Sequence, residues 1–115
     1  MAAERRIRRY IHRTPVFSSH LLNAAAGTDV VVKAENLQKI GAFKARGATN
    51  AVLSLSDADL SRGVVTHSSG NHGQAVAYAS SLVGTHATIV MPESASSVKV
   101  AAIESLGAEI VFCPQ

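Results

Sequence analysis

The sequence predicts an α/β chain, a parallel sheet with flanking helices. Three observations carry that reading. Short runs rich in Val and Ile, GVVTHS, HATIVMP and AEIVFC, occupy residues 63–68, 86–92 and 108–113. Segments of helical periodicity separate them, at 71–83 and 97–106. Each of those segments is closed by a glycine, Gly84 and Gly107. Strands alternating with helices in this way build βαβ units, whose crossovers are right-handed.

Near the amino terminus Ile7, Tyr10 and Ile11 fall at i, i+3 and i+4 among Arg5, Arg6, Arg8, Arg9 and Arg13. That spacing gives a short amphipathic helix with a basic outer face. The Thr-Pro pair at 14–15 is extended, and a short helix at 19–26 is stopped by Gly27. VVVKAEN, at 30–36, reads as a strand, and 37–42 as a loop. From Phe43 to about Leu55 the spacing suits a helix that shares Phe43, Gly47, Asn50 and Ala51 on one face, with Ala48 and Leu55 beside it. SLSDADL, at 54–60, is a polar helix edge or connector. In the helix at 71–83 the inward stripe is Ala75, Val76, Ala79, Leu82 and Val83. In the helix at 97–106 it is Val98, Ala102, Ile103 and Leu106. A sheet that stops at its third strand leaves an open edge, which folded proteins avoid.

Charge and composition exclude several classes. The 115 residues carry 11 Lys and Arg against 8 Asp and Glu, a net charge of +3. Much of that excess sits on the amino-terminal helix, and aromatics are 4% with no Trp, so no base-stacking nucleic-acid surface is expected. Pro15 closes the Arg-rich stretch too early for a mitochondrial address. No run of 18 apolar residues and no secretory segment is present, so the expectation is a soluble, cytoplasmic chain with no membrane partner. Cys113 is the single cysteine, which excludes an internal disulfide and a Cys-based metal site. His67 and His72 lie five apart across a strand–helix turn, and His12, His20 and His86 are scattered. No helical HxxxH spacing exists, and no metal is expected.

Two stretches carry chemistry. SSGNHG, residues 68–73, lies at the carboxyl end of a parallel strand and leads into a helix, where open α/β sheets bind ligands. Gly70 and Gly73 let backbone approach a ligand closely. The first N–H groups of the helix suit an anion, and Ser68, Ser69, Asn71 and His72 add side-chain donors. The pattern is not GxGxxG, so a carboxylate or phosphate is expected rather than a dinucleotide. A plain capped turn explains the same residues equally well. The second stretch, QKIGAFKARGATNAV at 38–52, holds Lys44. A lone helical lysine is ordinarily a solvated one. A lysine that attacks carbonyls needs a desolvated setting, which Phe43 and Ala42 permit without requiring.

KAENLQKIGAFKARGATNAV, THSSGNHGQAVAYA and ATIVMPESASSVKVAAIESLGAEIVF, in this order and with these gaps, resemble the serine racemase and serine/threonine dehydratase family. These are pyridoxal-phosphate enzymes of fold type II, with a tryptophan-synthase-β-like architecture. The resemblance runs from YIHRTPVFSSHLLN to the last residue. It implies that Lys44 forms the Schiff base with the cofactor and acts as general base. It implies that Asn71 hydrogen-bonds the cofactor's phenolic oxygen and that Phe43 is the aromatic beside the lysine. Ser68, Ser69, Gly70, Asn71 and His72 match the loop that grips the substrate carboxylate. Ser69 also matches the serine that exchanges a proton on the opposite cofactor face in racemases. The implied substrate is a small hydroxy amino acid, serine or threonine, which loses water and then ammonia or is racemised. A homo-oligomer is implied, and Lys39 and Gln74 match the neighbourhood of a nucleotide effector in some racemases.

The branch is favoured by detail. Gln38, FKARG and SSGNHG stand where cysteine-synthase-like relatives usually show Asn-Pro, Lys-Asp-Arg and a Thr-Ser-Gly-Asn-Thr-Gly loop. Ser96 replaces a frequent proline, and a serine there suits a helix N-cap. The resemblance also implies that the family's phosphate-cradling glycine loop, pyridine-nitrogen contact and metal ligands lie beyond this stretch. Residues 1–53 would belong to a large cofactor domain and 54–115 to an incomplete small domain. Two readings follow: the amino-terminal third of such an enzyme, or a truncated homologue that is inactive or dependent on a partner. In either, the isolated chain is expected to bind cofactor weakly and to turn over slowly or not at all.

Overall fold

The computed structural model describes residues 2–114. Its order is α1 (Ala2–Ile7), β1 (Val16–Ser18), α2 (His20–Ala26), β2 (Val31–Lys33), two 3-10 turns (Glu35–Leu37 and Lys39–Gly41), α3 (Lys44–Val52), α4 (Asp57–Arg62), β3 (Val64–His67), α5 (Asn71–Ser81), β4 (Ala87–Pro92), α6 (Ser97–Ser105) and β5 (Glu109–Cys113). The expected βαβαβ succession is present. β3, β4 and β5 form a parallel sheet with β4 in the centre. Val64 pairs with Ala87 on one side of β4, and Thr88 pairs with Glu109 on the other.

The core follows from strand alternation and small helical residues. Ala87, Ile89 and Met91 of β4 are buried, and the residues between them are half-buried. α5 lies over the sheet with α3 packed against it, so it is buried almost all round, from Gly73 to Ala77 and again at Ala79 and Ser80. Alanines at 75, 77 and 79 let both neighbours approach. Leu82 and Val83 fall beyond its end. In α3 the buried set is Ala45, Ala48, Thr49 and Val52, an i, i+3, i+4, i+7 stripe. This corrects the expected face, because Phe43, Gly47 and Ala51 point outward. In α6 Ile103 is fully buried, while Val98, expected inside, is 73% exposed and Val100 packs on the core instead. Ser96 sits at the N-cap of α6, but its hydroxyl makes no capping bond.

The amino-terminal layer differs more from expectation. The strand expected at 30–36 shortens to Val31–Lys33, because Ala34 turns into the first 3-10 segment. Its partner is β1, which pairs antiparallel through Val16–Lys33, Phe17–Val32 and Ser18–Val31. The loop at 37–42 contains the second 3-10 turn, and the connector holds a helix, α4, capped by the Ser56 hydroxyl. α2 ends as expected at Gly27 in the left-handed conformation, φ 68°. α1 stops at Ile7, which is buried, with Tyr10 and Ile11 half-buried after it.

Candidate active site

Lys44 is the first residue of α3. The chain reaches it through two successive left-handed residues, Ile40 (φ 58°) and Gly41 (φ 67°). A β-branched residue in that region is a genuine outlier, held only because its surroundings specify it. Gln38 supplies part of that specification. It is 4% exposed, takes the backbone N–H of His12 and of Lys39 on Oε1 (2.8 and 2.9 Å), and donates Nε2 to the His12 carbonyl (2.8 Å). Two residues after Lys44, Arg46 donates to both Glu35 oxygens. Thr14, itself buried, donates its hydroxyl to the same carboxylate. Hydrogen bonding from Arg46 in first place holds the Glu35 pKa down at about 2, with Thr14, Arg46 charge and Lys33 adding and burial opposing. The lysine therefore stands on a clamped base.

The Lys44 side chain is exposed. Its Nζ lies 5.5 Å from the Phe43 ring centroid and makes no hydrogen bond or ion pair among the described residues. Phe43 is 61% exposed, so the desolvated setting that a nucleophilic lysine needs is not supplied by residues 2–114. Gly47 lies one turn further along, and a Cβ there would meet nothing within 4 Å. That leaves open space beside Lys44 on the outer face of α3.

The second stretch folds as a strand–loop–helix turn. The Ser68 N–H donates to the Val90 carbonyl (3.0 Å) and prolongs the β3–β4 ladder. The Ser68 hydroxyl then accepts from Gly70 N (3.2 Å) and Gly73 N (3.0 Å). These bonds fix the loop, although the N-cap position itself is Gly70 and not the serine or asparagine that a plain capped turn would place there. The N–H groups of Asn71 and His72 find no acceptor among the described residues. Ser69, Asn71 and His72 are exposed, and Ser68 and Gly70 are half-buried. Gly73 is needed for contact: a Cβ there would lie 3.0 Å from Ile89 Cγ2 and 3.1 Å from the Ser68 carbonyl.

Two tethers orient the helix pair. Arg6 Nη1 donates to Asn50 Oδ1 (2.6 Å) late in α3, and the Tyr78 hydroxyl donates to the Tyr10 carbonyl late in α5. The turn ahead of α3 packs on α5. α3 also packs along α5, so the element that begins at Lys44 lies against the helix that the 68–73 loop opens. Lys39 is half-buried in that turn, and Gln74 is buried with Oε1 3.4 Å from Lys99 Nζ. Lys99 also donates to Asn71 Oδ1 at 2.6 Å. The tertiary contacts of Gln38, Glu35, Arg46 and Lys99 were not foreseen from sequence. Their partners are distant in the chain, and no local spacing signals them.

Among the described residues no group of three or more His, Cys, Asp or Glu side chains is placed to hold a metal ion. No described helix is long and apolar enough to cross a membrane.

Serine racemase of Dictyostelium discoideum is 52% identical over 111 residues, which cover 96% of this chain and 34% of that protein. L-threo-3-hydroxyaspartate ammonia-lyase of Saccharomyces cerevisiae is 50% identical over 109 residues, 95% of this chain and 33% of that protein. The solved structure of maize serine racemase superposes with a TM-score of 0.94 at 46% identity, covering 99% of this chain and 35% of that one. The chain thus spans about a third of the length of the curated relatives it matches. A family model described as pyridoxal-phosphate dependent enzyme matches residues 7–115, and the chain belongs to that family.

Proposed function

We propose that this chain supplies the lysine-bearing amino-terminal part of a pyridoxal-phosphate-dependent ammonia-lyase or racemase acting on a small hydroxy amino acid. The observation that carries the reading is an exposed Lys44 amine with no hydrogen bond or ion pair among the described residues, on a helix that packs against the one opened by the Ser68–Gly73 loop. The donor set suits the cofactor. A primary amine without a partner matches its aldehyde, open space adjoins that amine at Gly47, and the Asn71 amide has its oxygen occupied so that its N–H groups are left to donate. Lys44 would hold the cofactor covalently, with Phe43 beside it and Asn71 donating to its phenolic oxygen. When bound, the cofactor supplies an electron sink for the charge left on the substrate's α-carbon.

The chain's own residues then have distinct tasks. Once the substrate's amine has displaced Lys44 from the cofactor, the freed Lys44 Nζ would take the α-proton as general base. The N–H groups of Asn71 and His72, with the Ser68 and Ser69 hydroxyls and the close approach allowed at Gly70, hold the substrate carboxylate at the positive end of α5. The Ser69 hydroxyl returns a proton on the opposite face when the outcome is racemisation. If instead the β-hydroxyl leaves with a proton as water, a water molecule is taken up again as the nitrogen is released, and the products are a keto acid and ammonia. In this reading residues 1–53 serve a large cofactor domain and 54–115 a small domain. Support comes from the two sheets, since β1–β2 lies wholly in the first span and β3–β4–β5 wholly in the second. A homo-oligomeric, cytoplasmic enzyme is part of the same proposal.

A second reading, a chain that acts only with a partner, is favoured by the exposed apolar residues of the amino-terminal layer. Val16, Phe17, Leu21, Val31 and Val32 are 56%, 56%, 80%, 71% and 46% exposed. One experiment addresses the first reading. The chain is incubated with pyridoxal phosphate and reduced with borohydride, and the modified lysines are mapped by peptide mass spectrometry. Lys33 is engaged by the Thr14 carbonyl and Glu35, and Lys99 by Asn71 and Gln74, so Lys44 is expected to dominate. Equal labelling of Lys33, Lys39, Lys44 and Lys99 would overturn the assignment.

A further inference from the structure

The polar contact between α6 and the site is made by Lys99. Lys99 is half-buried at the first turn of α6, and its Nζ reaches across to Asn71 Oδ1 at 2.6 Å and Gln74 Oε1 at 3.4 Å. An ammonium group has only donors, so the atom of Asn71 that faces it is the carbonyl oxygen. That choice fixes the whole amide. With Oδ1 taken, the Nδ2 hydrogens point away from Lys99. Without a donor on that side an exposed Asn amide turns over freely, because its two orientations have nearly the same shape.

The contact is also costly enough to need a reason. Asn71 opens α5, and a cation there faces the positive end of the helix dipole. A lysine that served only solubility would extend into water. Instead it lies along α5 and meets two amide oxygens in succession, at i and i+3.

We infer that Lys99 is a positioning residue, which clamps the Asn71 amide oxygen so that the Asn71 N–H groups are presented as donors to an anionic acceptor in the site. The inference rests on the reading of Asn71 as the residue facing the cofactor's phenolic oxygen, and it adds a residue of α6 to that site. It also makes α6 a part of the site's geometry, since any shift of α6 against α5 releases the amide.

The molecule contains its own controls. Asn23 has both amide ends engaged, Nδ2 to Asp29 at 3.0 Å and Oδ1 from Val30 N at 2.9 Å. Asn36 is exposed, and its side chain has no hydrogen bond among the described residues. The experiment is side-chain 15N heteronuclear NOE on the cofactor-free chain, in wild type, Lys99→Met and Lys99→Arg. Asn71 is expected to be as rigid as Asn23 in wild type, to become as mobile as Asn36 in Lys99→Met, and to recover in Lys99→Arg, which keeps a donor. Backbone shifts along α5 serve as the check that the fold is kept. Asn71 as mobile as Asn36 in wild type, or still rigid in Lys99→Met, overturns the clamp. A second arm measures reductive capture of pyridoxal phosphate at Lys44. Lys99→Met is expected to weaken it about tenfold, the size of one hydrogen bond to a charged acceptor. Unchanged capture overturns the link between clamp and site. Failure of wild-type Lys44 to be labelled would sink the cofactor reading by itself, and the NMR comparison would still decide the clamp.

Discussion

Arg46 grips Glu35 at two points, Nε to Oε2 at 2.8 Å and Nη2 to Oε1 at 2.7 Å, two residues along the chain from Lys44. The fork joins α3 to the first 3-10 turn, and Thr14 joins the segment before β1 to the same carboxylate. Three stretches far apart in sequence therefore meet at one charge. The start of α3 cannot move without breaking charge-assisted hydrogen bonds, which are the stronger class.

That contact predicts a pH dependence with a definite sign. The Glu35 pKa falls from 4.5 to about 2 on folding, led by the hydrogen bond from Arg46. A carboxyl whose folded value is depressed adds stability that is complete above its unfolded value and disappears as pH falls through its folded value. The loss should therefore run from near 4.5 down to about 2. Urea unfolding across that window should show falling stability for wild type and a flatter profile for Glu35→Gln. At neutral pH Glu35→Gln should be less stable by about 1–2 kcal/mol, allowing for partial solvent screening. Parallel profiles for the two proteins would show that the fork contributes nothing.

Lys44 should separate function from folding. Its side chain is exposed and makes no ion pair among the described residues, so Lys44→Ala should change unfolding stability by less than about 0.5 kcal/mol. The same substitution should remove the borohydride-trapped cofactor from the 38–52 segment. A large stability loss would mean that the lysine has a packing role which the structure does not display.

The sheet was legible because its strands repeat a signal. Val and Ile runs at even spacing, each followed by a periodic segment and a glycine, leave few alternatives to βαβ. α3 was legible as a helix but not in its facing. Its residues are mostly small, so the contrast between Ala48 and Ala51 is too weak for periodicity to choose a side. Burial by α5 made that choice. β1 is three residues long and forms only because β2 pairs with it, an arrangement no local window contains. Of the site, Lys44 and the 68–73 loop were legible through motif resemblance. The contacts that Gln38, Arg46 and Lys99 make there were not, since each acts through a partner reached by tertiary folding.

The approach to Lys44 yields a conformational prediction. Gly41 has φ 67°, and a Cβ added there would find only the Asn36 carbonyl, at 3.9 Å. Gly41→Ala therefore meets no clash, and its cost is that of a left-handed alanine, about 1 kcal/mol. The preceding Ile40 is already left-handed, so the strain has no adjacent residue into which to relax. Thermal unfolding of Gly41→Ala should show that loss, and trapping at Lys44 should fall with it, because the turn sets where α3 begins. A variant as stable as wild type would mean that the turn readily adopts another backbone path.

The two glycines of the 68–73 loop should respond in opposite ways to the same change. At Gly73 a methyl group would lie 3.0 Å from Ile89 Cγ2, 3.1 Å from the Ser68 carbonyl and 3.4 Å from Ile103 Cδ1. Ile89 and Ile103 are fully buried, so neither can move aside easily. Gly73→Ala should push the first turn of α5 off the sheet and cost about 1–3 kcal/mol. At Gly70 the methyl would meet nothing within 4 Å, and the backbone, with φ −138°, is open to any residue. Gly70→Ala should fold as well as wild type. Yet it would place a methyl group where the proposed substrate carboxylate approaches the N–H groups of Asn71 and His72. Chemical denaturation of both variants, alongside titration with serine monitored by backbone amide shifts, separates the two effects. A stable Gly70→Ala variant whose loop amides no longer shift with serine would mark that side of the loop as the substrate face, and shifts equal to those of wild type would move the carboxylate elsewhere.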